Sequence, residues 1–198
     1  VQVAAAVGAK VIALDIDERG RVWVAEAYSY PSKRGAGQGR DKLVVFTDHD
    51  ADGTFEARTE FLGGLDLVSG FAVGHGGVWI GAAPELLFVP DANGDLVPDG
   101  PAEVVLDGWG YEDTHETLNA FVWGPDGWLW LTERTGGKIT RVNPADGTKQ
   151  VAIDIEEVSA PGGQDGLLGL ALDPGLLKGT GNDFVYAAYS YVDKSRDK

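Results

Sequence analysis

The chain has no cysteine, no methionine and only three histidines, and its 16 lysines and arginines are outnumbered by 31 aspartates and glutamates. Without cysteine there is no disulfide framework, no thiolate metal site and no thiol nucleophile. His49, His75 and His115 are too scattered for metal-ligand spacing, so zinc is not expected. A formal charge of −15 repels phosphate backbones and anionic headgroups, which argues against nucleic acid as a partner and for calcium or cationic partners. No apolar run approaches the roughly 18 residues of a membrane span, so direct membrane insertion is not expected. The amino terminus lacks a basic region followed by a long apolar core. A chain without methionine is either a processed form or a piece of something larger. The piece is the preferred reading, because the last repeat breaks off after two strands. No serine nucleophile elbow and no P-loop is present. The glycines of residues 35–39 lack the strand-then-helix setting of a dinucleotide site and read as a flexible loop.

What the sequence does contain is a repeat. Four times a short apolar strand runs into a turn and then a strand centred on a large aromatic: Trp23, Trp79, Trp130 and Tyr186, spaced by 56, 51 and 56 residues. A strand-only repeat of that length is what stacked blades produce, because one blade cannot bury both of its faces alone. The expected fold is all-β, a β-propeller of about four four-stranded blades with the last incomplete, either a closed four-bladed ring or a partial one. The 29 glycines fit a many-turned chain. The repeats fall at about 8–63, 64–107, 108–158 and 159–198 in a single domain, and 1–7 could supply a closing strand. Expected strands are 11–16, 21–27, 42–46 and 58–62; 67–73, 77–82, 85–89 and 103–106; 120–123, 128–133, 138–142 and 149–155; then 167–172 and 184–191. Residues 28–40 read as an inserted loop.

Two loops carry the sharpest chemical signal. Asp48, Asp50, Asp52 and Glu56 occupy loop positions 1, 3, 5 and 9, with Gly53 at position 6. Alternate residues of a tight loop aim their side chains at one centre, and hard cations such as calcium want six to eight oxygens. Asp91, Asn93, Asp95 and Asp99 repeat the pattern at the equivalent turn of the next repeat, with Leu96 in place of the glycine. Position 12 is Thr59 or Ala102 rather than a bidentate glutamate, so neither loop is an EF-hand. They are similar to the calcium hairpins of integrin-type propellers. The competing reading is that Asp, Asn and Gly are simply good turn formers. On either reading the loops staple turns far from a propeller axis.

A second constellation, residues 113–119, precedes the inner strand of the third repeat, where side chains converge on a channel. There Asp113 could orient His115 as a general base. A structural histidine bridging blades is the preferred alternative. A third, residues 162–170, is glycine-rich and would bring Gln164 or Asp165 to the channel mouth. Composition alone would make it an ordinary tight turn.

Trp123-Gly-Pro-Asp-Gly, residues 128–134, residues 137–144 and Gly163-Gln-Asp-Gly-Leu-Leu-Gly169 resemble the amino-terminal blades of soluble pyrroloquinoline-quinone (PQQ)-dependent glucose and sorbosone dehydrogenases, over about residues 119–198. The front part, about 11–123, resembles the propeller of the membrane-bound dehydrogenases named in planctomycetes, through residues 21–31, 67–70, 76–84 and 113–119. The whole looks like a fragment or a chimeric arrangement of related blades. The resemblance implies a sugar substrate, a quinone held with calcium and a periplasmic or extracellular location. It carries Gln164 over as a residue beside substrate and cofactor. The family's catalytic histidine and quinone-clamping residues belong to later blades, so the chain alone is expected to be weakly active or inactive. The alternative is a calcium-stabilised, non-catalytic scaffold or binding propeller, a homo-oligomer completed through the incomplete blade.

Overall fold

The computed structural model describes residues 9–35, 37–110 and 117–193, and among them forms fourteen strands in four antiparallel sheets with no helix. The strands are β1 (Lys10–Ile16), β2 (Val22–Ala27), β3 (Asp41–Thr47), β4 (Ala57–Leu65), β5 (Val68–Gly74), β6 (Gly77–Ala82), β7 (Glu85–Pro90), β8 (Glu103–Asp107), β9 (Leu118–Trp123), β10 (Leu129–Glu133), β11 (Lys138–Val142), β12 (Lys149–Asp154), β13 (Leu167–Leu172) and β14 (Val185–Tyr189). They match the expected strands in number and order, with ends shifted by a residue or a few. No helix among the described residues is long and apolar enough to cross a membrane. The chain divides into two compact units, residues 1–114 and 115–198.

In the first unit, β1-β2-β3-β4 and β5-β6-β7-β8 are meanders, each strand paired with the next in sequence. Side chains alternate across a strand, so Trp23 and Ala25 share one face of β2 and Val22 and Val24 the other. Trp23, Ala25, Leu43 and Val45 pack against Phe71, Val78, Ile80, Leu87 and Val89 of the second sheet. The opposite face carries Val22, Val24, Val44 and Phe46 with Phe55 beside them. Every residue of β2 is therefore buried, which is why it reads as a nearly unbroken apolar run. Each such aliphatic side chain contributes about 1.5–3 kcal/mol on burial. Asp41, fully buried, ties the first sheet to the second: Oδ1 accepts from the backbone N–H of Tyr28 (2.7 Å) and Ser29 (2.6 Å), and Oδ2 from Val68 (3.0 Å).

In the second unit, β9 to β12 form one four-stranded sheet and β13 and β14 a two-stranded one. Trp130, Ile139, Leu167 and Leu176 make their shared core, flanked by Leu170, Leu172, Val185 and Ala187. Strand β12 is exposed along its whole length, as an outermost strand should be. The final strand is shorter than the expected 184–191. Ser190 leaves the ladder to exchange hydrogen bonds with Gly166, and its hydroxyl donates to the Ser159 carbonyl at 2.6 Å.

The aromatic repeat holds in three dimensions. Trp23, Trp79 and Trp130 are all buried central-strand residues, whereas Tyr186 is 57% exposed. Trp23 Nε1 donates to Asp17 in the preceding turn (2.9 Å), Trp130 Nε1 to Asp126 (3.1 Å), and the Tyr186 hydroxyl reaches Asp173 at 3.4 Å. Antiparallel order also sorts the loops. In the first unit the β1–β2, β3–β4, β5–β6 and β7–β8 turns lie at one end, and the β2–β3, β4–β5 and β6–β7 connections at the other. In the second, β9–β10, β11–β12 and β13–β14 share one end, and β10–β11 and β12–β13 the other.

One sequence expectation needs correction. Gly39, read as part of a flexible loop, is a packing glycine, since an added Cβ would collide with the carbonyls of Gly64 and Leu65. The suggested closing strand at 1–7 lies outside the described residues.

Candidate functional site

The β3–β4 turn gathers one carboxylate oxygen from each of Asp48, Asp50, Asp52 and Glu56 within 4.8 Å of one another. The local backbone dictates this. Gly53 N–H donates to Asp48 Oδ2 (2.8 Å), Asp52 N–H to Asp50 Oδ1 (3.3 Å), Thr54 N–H to Asp52 Oδ1 (2.6 Å) and His49 N–H to Glu56 Oε2 (2.8 Å). Two positive φ angles, +60° at Ala51 and +90° at Gly53, curl the chain around the cluster. The backbone N–H of Gly53, joined by others of the loop, holds the Asp48 carboxyl below the ordinary carboxylate range. Its other oxygen, Oδ1, is buried with no hydrogen-bond partner. Like charges at such separations repel by about 1 kcal/mol per pair even at water's dielectric. An all-oxygen donor set with an orphaned carboxylate oxygen fits a hard cation of the calcium type.

The β7–β8 loop repeats the backbone scheme position for position. Ala92 N–H donates to Asp99 Oδ2 (2.7 Å), Asp95 N–H to Asn93 Oδ1 (3.0 Å), Leu96 N–H to Asp91 Oδ2 (3.2 Å) and Val97 N–H to Asp95 Oδ1 (2.9 Å). The positive φ angles recur at Gly94 (+67°) and Leu96 (+69°). The charges differ. The Asn93 amide donates to Asp95 Oδ2 at 3.0 Å, and both Asp91 oxygens accept backbone N–H groups. Among the described residues, only the first loop brings three or more acidic ligands to a common centre.

Two arginines that the sequence reading passed over hold the second loop. Arg19 donates to the carbonyls of Gly94 (2.6 Å) and Asn93 (3.0 Å), and Arg21 to Gly94 (2.9 Å). Arg21 is fixed in turn by Asp17 at 2.6 Å. Burial pushes the Asp17 carboxyl upward, but hydrogen bonds from Trp23 and Arg21 outweigh it and leave the group below its ordinary range. The signal was present in the alternation, since residues 17, 19 and 21 follow one another around a tight turn.

Gln164 lies exposed in the turn before β13, beside exposed Asp165. The amide of Gln164 could contact a quinone there, but the turn carries no cation, so other groups would have to hold its charge. Gly166 there meets the β10–β11 turn so closely that a Cβ would lie 2.6 Å from the Arg134 carbonyl. Asp113 and His115 fall outside the described residues. His49 and His75 sit exposed in turns. Sequence reasoning also missed Glu26, fully buried on β2, whose Oε2 accepts from the Tyr28 hydroxyl (3.1 Å) and Arg58 (2.7 Å). A charged residue in phase with Val22 and Val24 was its visible sign. Burial, and then the Glu26 charge, push the Tyr28 phenol upward.

Comparison with known proteins extends this picture. The solved structure of the calcium-binding protein regucalcin from Agrobacterium tumefaciens superposes with a TM-score of 0.60 at 16% identity, covering 83% of this chain and 50% of its own. Virginiamycin B lyase from Staphylococcus aureus gives 0.54 at 14% identity, covering 92% of this chain and 50% of its own. At these identities the likeness shows the fold alone, a β-propeller architecture. Quinoprotein glucose dehydrogenase B of Acinetobacter calcoaceticus is 42% identical over 82 residues, which are 40% of this chain and 16% of that protein. The chain thus spans about half the length of these solved propellers and a small part of the dehydrogenase. A family profile described as a domain of unknown function, DUF7133, matches residues 3–164, and the chain belongs to that family.

Proposed function

We propose that this chain forms blades of a propeller related to quinone-dependent sugar dehydrogenases, with calcium stapling the β3–β4 turn. The observation that supports the enzyme half is the 42% identity to a quinoprotein glucose dehydrogenase over 82 residues. The orphaned Asp48 Oδ1 within four converging carboxylates supports the calcium half. When bound, the quinone supplies the two-electron acceptor for oxidising an aldose. Of this chain's residues, Gln164 is the one we assign to the substrate and cofactor side, as an exposed amide able to donate and accept a hydrogen bond. Calcium in the β3–β4 turn is structural, because that turn lies at the end of its sheet opposite to the β2–β3 and β4–β5 connections. The same reading places the protein in the periplasm or outside the cell. Asp113 and His115 remain proposed as an orienting carboxylate and a base.

The test is dye reduction on aldoses with added quinone and calcium. We expect weak turnover that needs both quinone and aldose and falls by about tenfold in Gln164→Ala, as loss of one hydrogen bond would give. Turnover insensitive to Gln164, or quinone binding unchanged in Gln164→Ala, would defeat the assignment.

A second reading has its own observation. Among the described residues the last sheet has two strands, and Phe184, Tyr186 and Tyr191 around it are each more than half exposed. An open edge of this kind pairs readily with another strand. On that reading the chain is a calcium-stapled scaffold or binding propeller that self-associates. Sedimentation would then show a concentration-dependent dimer with no sugar oxidation.

A further inference from the structure

We propose that the loop between β2 and β3 binds the charged end of an acidic sugar through Arg34 and Arg40. The sugar part rests on the dehydrogenase reading above, and the anion part on the loop alone. Residues 28–40 contain Lys33, Arg34 and Arg40 and no acidic residue, in a chain whose net charge is −15. This loop lies at the end of the first unit opposite to the two acidic turns, so the unit is electrically polarised along its strands. Lys10, at the start of β1, joins the same end and sits over the Tyr30 ring at 4.3 Å.

The loop is held firmly while its guanidinium groups are left over. The buried Asp41 carboxylate accepts from the backbone of Tyr28 and Ser29, and Ser29 Oγ accepts from Arg40 N–H at 3.1 Å. Asp66 Oδ2 accepts the N–H groups of Arg34 (2.8 Å) and Gly35 (3.3 Å), and the Lys33 ammonium donates to the Ala83 carbonyl at 2.7 Å. Those anchors use backbone groups and Lys33 but neither arginine head. Both arginines are exposed, and neither guanidinium makes a hydrogen bond or ion pair among the described residues. Elsewhere Arg21, Arg58 and Arg141 are each ion-paired to a carboxylate. Arg19 donates to two carbonyls, so each of these four guanidinium groups is engaged, whereas those of Arg34 and Arg40 are not among the described residues. Among the described residues, the acids at this end are Asp41, used by backbone N–H groups, Glu26, paired with Arg58, Asp66, bonded to the loop through Oδ2, and Glu85 and Asp107 on the second sheet. A planar guanidinium recognises a carboxylate or phosphate through paired N–H groups, and a preorganised loop spends little entropy in doing so.

The experiment titrates the whole chain with glucuronate, glucose and acetate, read by backbone amide shifts or calorimetry. Exposed ion pairs are individually weak, so saturation in the millimolar range is expected, with glucuronate about tenfold tighter than glucose. Arg34→Gln with Arg40→Gln should erase that advantage, whereas Lys178→Gln, an exposed loss of positive charge elsewhere, should keep it. Glucuronate binding no tighter than glucose, or an advantage that survives the double variant, would overturn the anion site and leave the dehydrogenase reading intact. Acetate binding as tightly as glucuronate would overturn the sugar assignment and count against that reading.

Discussion

The β3–β4 and β7–β8 turns are built on one backbone plan and meet different electrostatic fates. Both wrap a carboxylate at position 1 around the N–H of position 6, and both enter the left-handed region at positions 4 and 6. In the first, four acidic side chains converge and Asp48 Oδ1 is left without a partner. In the second, an asparagine amide satisfies Asp95, and Arg19 and Arg21 draw the outside of the loop onto the neighbouring sheet. One turn is thus left with converging carboxylates that suit a cation, and the other is secured from without, by guanidinium groups on its carbonyls. Position 3, aspartate in one and asparagine in the other, tips the balance.

The largest test of that contrast removes the acids. Asp48→Asn with Asp52→Asn should weaken calcium binding by about a thousandfold in calorimetry, because a hard cation loses charged oxygens it cannot replace. If the same changes at Asp91 and Asp95 have an equal effect, the two loops are equivalent and the contrast fails. Next comes Arg21→Ala, which takes the ion-pair partner from the largely buried Asp17 and removes one of the three arginine contacts to the second loop. It should cost about 3 kcal/mol in denaturant unfolding, and calcium should not restore it. Restoration by calcium would mean that the arginine and the ion do interchangeable work.

Acid should weaken both supports. Asp17 and Asp48 both have folded-state values below their ordinary 3.8, so the stability they contribute is fully present above about pH 4 and is lost as pH falls through the lowered values. In Asp17→Asn the acid limb of the unfolding curve should flatten; an unchanged limb would show that the Trp23 and Arg21 contacts do not hold the charge. The smallest effect concerns strain. Ala51 is exposed with φ of +60°, so Ala51→Gly should stabilise by about 1 kcal/mol. Gly94→Ala should do the reverse, since its φ is +67° and a Cβ would lie 3.0 Å from the Arg19 guanidinium. Melting temperatures of the two variants moving in the same direction would contradict the shared geometry.

Much of the fold was legible because its signals are local. Alternation in Val22, Val24, Val44 and Phe46 marks strands with two faces, and Asp17, Asp126 and Asp173 mark the turns that serve the repeated aromatics. The acidic turn was legible for the same reason, since its ligands come from one short segment. The arginine clamp was not, because Arg19 and Gly94 are separated by most of two sheets in sequence and meet only when the blades stack. Glu26 was readable from its phase but not its partners, which come from β4 and the start of the inserted loop. The length of the last strand escaped too. Ser190 is diverted by Gly166, a residue from before β13 that no local pattern links to it.

The sequence by itself determined the all-β repeat, the spacing of its aromatics and the order of acidic side chains in the first turn. Each depends on side-chain alternation or on hydrogen bonds between near neighbours. Only the tertiary structure decided which of two similar turns keeps its carboxylates open and which is held by arginines. It alone also decided that the basic loop stands at the end away from both, because charge pairing between distant segments exists only after the sheets have packed.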